Sequence, residues 1–168
     1  MSSVNVDGFD FDFPSTWKQS KYDDWAFYRN QFSRMWPGIK AIDLLAVDPE
    51  KNAWFIELKD YRANVRTKPS DLGEEVARKV FDTLAAMLPA KVNAHEADEA
   101  HMARAVLGAK KLRVVLHLEQ PKKHSTLRPR AIDPAAVQQD LRRLLKPIDP
   151  HPVVVETCRM GGLPWSVK

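Results

Sequence analysis

Cysteine and glycine are scarce in this sequence, and long apolar runs are missing. Cys158 is the single cysteine among 168 residues, so an intrachain disulfide and a multi-cysteine zinc site are both excluded, and no motif around it supports a nucleophilic role. Of the 6 glycines, only Gly161-Gly162 are adjacent; they lack the strand-to-helix setting of a phosphate-binding loop and read as a turn. No apolar stretch nears the roughly 20 residues that span a bilayer, and the start, MSSVNVDGFDFDF, lacks the basic flank and apolar segment of a secretory signal. A soluble, cytoplasmic protein without membrane contact is therefore expected. Internal repeats, long linkers and low-complexity segments are absent too. His95 and His101 lie six apart near Glu96, Asp98 and Glu99, and that spacing does not share a helix face, which argues against zinc.

What is present is an ordinary globular composition, 44% hydrophobic and 29% charged, with the charge unevenly placed. Residues 1–58 carry 6 Lys/Arg and 9 Asp/Glu, a net −3, which leaves 20 against 13, or +7, for residues 59–168. From Arg104 onward there are 13 basic and 5 acidic residues. A polyanionic partner fits that half, and so does a merely solvated basic face.

Residues 1–14 alternate Asp and Phe, as an edge strand or a packing arm would. Trp25, Tyr28, Phe32 and Met35 recur at helical spacing before Pro37-Gly38, predicting an amphipathic helix over 15–36 with core aromatics. Ile39 to Val47 and Ala53 to Leu58 read as two strands around the turn Asp48-Pro49-Glu50-Lys51-Asn52. Leu72, Val76, Val80, Leu84 and Leu88 step by four through an expected helix at 71–88 that Pro89 should stop. A second helical run over 93–107 ends at Gly108. Residues 112–118 form an expected buried strand, 119–132 a basic loop, 133–145 a helix opened by Asp133-Pro134, and 152–157 a last strand. This order predicts an α/β sandwich with a mixed sheet.

The hairpin holds the chemistry. If Val47 closes opposite Ala53, paired positions sum to 100 and Asp43 lies opposite Glu57. Two carboxylates then stand ~5 Å apart on one face, with Lys59 two residues further along. Like charges so placed repel, so a compensating cation is required, and a hard divalent ion is the natural one.

Asp43, thirteen intervening residues, then Glu57-Leu58-Lys59 in two hairpin strands resembles the PD-(D/E)XK nuclease superfamily. The match covers about residues 39–62 locally, and the order of elements extends it to 15–120. The resemblance implies a restriction endonuclease-like α/β core, a mixed central β-sheet flanked by helices. It would fill a single domain, with 1–14 as an N-terminal arm, 15–120 as core and 121–168 as a basic C-terminal extension. By position, Asp43 and Glu57 would bind Mg²⁺ or Mn²⁺ with the Leu58 carbonyl, and Lys59 would be the catalytic lysine. Ile42 replaces the proline of the family name, a position that contributes no ligand. Many members carry a further Glu on the first helix; here Asp24 or Gln31 is the accessory candidate. Arg62 and Lys79 are further accessory candidates, and His117 reads as a sheet histidine within reach of the site.

The implied activity is metal-dependent hydrolysis of DNA phosphodiester bonds, with RNA not separated from DNA by any motif. Lys122, Lys123, Arg128, Arg130, Arg142 and Arg143 would grip backbone phosphates. A homodimer or partner protein fits a double-strand cut. The rival reading is a catalytically inactive nuclease-like fold that binds nucleic acid or protein within a larger complex.

Overall fold

A computed structural model of the chain describes residues 1–68, 70–121 and 132–168. The mixed α/β character expected from the order of elements is present: the described residues form two sheets and four helices. The first sheet opens with β1 (Ser2–Val6) and β2 (Phe9–Phe13), antiparallel around Asp7-Gly8. Both turn residues have positive φ, 48° and 88°, as a two-residue hairpin of matching twist requires. Phe9, Phe11 and Phe13 are buried while Asp10 stays exposed, so the alternation of Asp and Phe is that of a half-buried strand. The C-terminal β8 (Ser166–Val167) pairs with β2 and completes this sheet.

The second sheet runs β3 (Lys18–Lys21), β4 (Leu44–Val47), β5 (Asn52–Asp60), β6 (Lys111–Glu119), β7 (Val153–Val155). The first two pairings are antiparallel and the last two parallel. The predicted register of β4 against β5 is observed, Val47 opposite Ala53 through Leu44 opposite Ile56. Side-chain alternation then splits the core. Leu45, Phe55, Val114 and Leu116 face the helices, whereas Leu44, Ile56, Leu58 and Val115 pack with Phe9, Phe11 and Phe13 of the small sheet. The small sheet thus covers one face of the large one, and α2 (Leu72–Asn93), α3 (Ala97–Leu107) and α4 (Pro134–Leu145) belong to the other layer.

Three expectations need correction. Residues 15–36 are not one helix: they form β3, a turn, the short α1 (Ala26–Asn30) and a further 3-10 turn at Phe32–Arg34. The unpaired edge of β4 recruits Lys18–Lys21 in spite of their weak strand propensity. No local side chain caps α1; Glu99 of α3 does, accepting from the N–H groups of Ala26 (2.6 Å) and Phe27 (3.1 Å). Trp25 and Phe32 are core as expected, but Met35 is 57% exposed. Second, β4 starts at Leu44 and not at Ile39, because the backbone before it bonds to α2: Lys40 N–H donates to Asp82 and Ile42 N–H to Thr83 Oγ1. Third, α2 runs through Pro89 to Asn93. One missing N–H in the last turns is a small loss beside the anchoring of Ala86, Met87 and Ala90, all fully buried.

Candidate functional site

Three elements build the site. Asp43 enters β4, Glu57 and Lys59 lie near the end of β5, and Glu75 and Lys79, one turn apart, project from α2 onto the same face of the sheet. The last paired rung of the hairpin is Leu44 with Ile56, and beyond it the Leu58 N–H donates to Asp43 Oδ2 at 2.8 Å. Asp71 caps α2 by accepting from Glu74 N–H at 3.1 Å, which fixes where Glu75 and Lys79 fall.

Asp43 and Glu57 come together around the Lys79 ammonium rather than as a rung of the ladder, and the cations that compensate them come from the protein. Lys79 Nζ hydrogen-bonds Glu57 and lies 3.5 Å from Asp43 Oδ1. Lys59 Nζ is 2.7 Å from Glu57 and 3.3 Å from Glu75, and Arg66 pairs with Glu75 at 2.9 Å. Glu57 is fully buried, and its Oε2 has no hydrogen-bond partner among the described residues. Burial first, and the repulsion of Asp43 second, push its carboxyl up to about 7 against the pull of both lysines. Burial works to lower the Lys59 ammonium, but attraction to Glu57, Asp43 and Glu75 outweighs it and the net shift is upward. Glu75 shows the same contest with the same winner: burial opposes its charge, yet Arg66, Lys59 and Lys68 hold it down at about 2. A carboxyl titrating near neutrality has the affinity of a general acid or base. At 0% exposure, Glu57 is closed to any substrate in this arrangement.

The accessory candidates separate. Lys79 is drawn into the centre. Asp24 is not: it is exposed and paired with Lys21 and Arg29. Its neighbour Asp23 is the acid that senses Asp43; burial raises its carboxyl to about 6, Asp43 adds to the rise, and Oδ1 is buried without a partner among the described residues. Gln31 is exposed at the end of α1. Arg62 and His117 lie on the opposite face of the sheet. Arg62 pairs with Asp60 at 2.8 Å and covers the Phe9 ring at 4.6 Å. His117 packs on Phe9 and Phe11, with Nε2 2.9 Å from Glu119 and 3.3 Å from Thr157 Oγ1. Arg142 and Arg143 are exposed on the last turns of α4. Lys122, Lys123, Arg128 and Arg130 lie outside the described residues. Glu75 escaped the sequence reading; the four-residue step from Glu75 to Lys79 at the start of α2 was the available signal for it.

Mg²⁺ or Mn²⁺ between Asp43 and Glu57 would need the place that the Lys79 ammonium takes. One Asp43 oxygen is already engaged by the Leu58 N–H. Among the described residues no group of three or more His, Cys, Asp or Glu is arranged to hold a metal ion. As arranged, the residues do not fit a divalent ion, and the acidic pair is neutralised by ammonium groups instead.

No protein-family model and no solved structure matches the chain. The chain is similar to a cysteine–tRNA ligase of Neisseria meningitidis serogroup A / serotype 4A (strain DSM 15465 / Z2491), 26% identical over 209 aligned residues. The alignment takes in 100% of this chain and 30% of that protein, so the chain spans about a third of its relative's length. This likeness corrects the expected activity. A curated relative named for joining cysteine to tRNA stands against a DNA-hydrolysing nuclease or endonuclease, and against Mg²⁺-dependent phosphodiesterase chemistry as the enzyme class.

Proposed function

We propose that this chain is a tRNA-binding module associated with aminoacyl-tRNA synthesis, on a core laid out like that of the restriction endonucleases and using its Asp43–Glu57–Lys59–Lys79 cluster as a structural ion-pair lock. The observation that carries this reading is the likeness to a cysteine–tRNA ligase along the whole of this chain and only 30% of the ligase. Gly161 and Gly162 have positive φ, 62° and 77°, in the turn before β8, and do not open a helix onto a nucleotide phosphate. The basic second half supplies the charge that an RNA backbone requires.

The test is fluorescence anisotropy with a labelled tRNA transcript for cysteine and a duplex DNA of equal charge, at several KCl concentrations. Binding of the tRNA at least tenfold tighter than the duplex at 0.1 M salt, on the order of a micromolar Kd or better, is the expected result. Equal or tighter binding of the duplex, or no tRNA binding at that salt, overturns it.

A further inference from the structure

A group of exposed cations, Lys18, Lys51, Arg104, Lys110 and Lys111, lies at one end of the large sheet. This is the end where β5 begins, about 17 Å along the strand from Glu57. Two open clefts flank the turn between β4 and β5 there. One, of about 490 Å³, is lined by Lys110, Lys111, Arg113, Asp149 and His151; the other, of about 360 Å³, by Lys18, Asp48, Lys51 and Arg104. They are stitched together by the Lys110 N–H, which donates to the Lys51 carbonyl at 2.8 Å. Lys51 holds the left-handed conformation, φ 66°, that turns the chain at the ridge between them.

The two clefts count six Lys/Arg side chains against two carboxylates. Both acids are spent inside the fold. Asp48 accepts from Asn52 N–H (2.9 Å), Asn52 Nδ2 (2.7 Å) and Trp54 Nε1 (3.1 Å). Asp149 accepts from Val114 N–H at 2.8 Å and His151 N–H at 2.9 Å, and keeps Arg113 at 3.7 Å. Lys18, Lys51, Arg104, Lys110 and Lys111 have no ion-pair partner among the described residues. Five unpaired cations along two joined clefts repel one another and have no protein counter-charge, so they favour a ligand whose negative charges are spaced along a chain.

We propose that these two clefts form the surface on which the module receives the phosphate backbone of RNA, with Lys51 and Lys110 at its centre. This rests on the tRNA-binding reading and names its contact face, at the opposite end of the sheet from the acidic cluster. Two phosphates lost from the interface should flatten the logarithmic salt dependence by about 1.4 and weaken binding roughly 25-fold at 0.1 M salt.

The experiment compares wild type, Lys51→Gln/Lys110→Gln and the charge-matched Arg34→Gln/Lys40→Gln, whose exposed side chains precede Asp43, on the tRNA transcript across KCl concentrations. Circular dichroism melts check that each variant is folded. Loss of roughly 25-fold with a shallower slope in the first variant, and near wild-type binding in the second, is the expected result. Equal losses in both variants, or a loss confined to the second, overturn this face while leaving tRNA binding standing. A wild type without salt-dependent tRNA binding overturns both.

Discussion

Replacing Lys79 by methionine tests the ion-pair lock most directly. The substitution keeps the length of the stem along α2 and removes the ammonium that bonds the fully buried Glu57 and lies 3.5 Å from Asp43. Breaking a buried pair from one side costs about 3–5 kcal/mol. Here Lys59 stays 2.7 Å from Glu57, so roughly 2–3 kcal/mol is expected at alkaline pH, or about 5–10 °C in Tm for a chain of this size. The loss must depend on pH. Glu57 already titrates at about 7, and without Lys79 it titrates higher. Near pH 6 it is mostly protonated in both proteins and the missing ammonium matters little. Near pH 8.5 the wild type holds a compensated carboxylate, whereas the variant must bury a poorly compensated one or keep a proton that the unfolded chain releases. Thermal melts at both pH values measure the difference, and Glu57→Gln/Lys79→Met should recover most of it. A variant as stable as wild type at pH 8.5, or a pH-independent loss that the second substitution fails to relieve, refutes the argument.

Lys79→Ala should also open the space between Asp43 and Glu57 to a divalent ion: millimolar Mn²⁺ should raise its Tm and leave the wild type unmoved, and a wild-type rise that Glu57→Gln abolishes would contradict this. His117 provides a test on the other face of the sheet. Burial lowers its pKa despite Glu119, so the unfolded chain takes the proton first, and stability from this residue is lost as pH falls below the usual histidine range. Glu57 and Asp23, raised by burial, act in the opposite direction, so the expected signature is differential: the stability gap between wild type and His117→Gln should shrink from pH 7.5 to pH 5.5 in urea titrations. A constant gap would show that the buried ring does not carry this linkage.

Local pattern and the final arrangement part company at identifiable residues. The β4–β5 register, the start of α4 at Asp133 and the mixed α/β order are properties of short stretches: period-two alternation, turn length and a capping aspartate suffice to set them. The Asp7-Gly8 hairpin was equally local and open to the same logic. Distant partners decided the rest. Lys18–Lys21 became a strand because β4 had an open edge, α1 was capped by Glu99 from 72 and 73 residues away, and Pro89 stayed in α2 because buried neighbours hold the helix on both sides of it. The site divides along the same line. Sequence alone brought two like charges near one another at the end of the hairpin and so called for a cation. Only the packing of α2 on the sheet decided that Lys79 would supply it, because a helix chooses its neighbour through the burial of Val76 and Val80, and the charge it carries on the adjoining positions arrives with that choice.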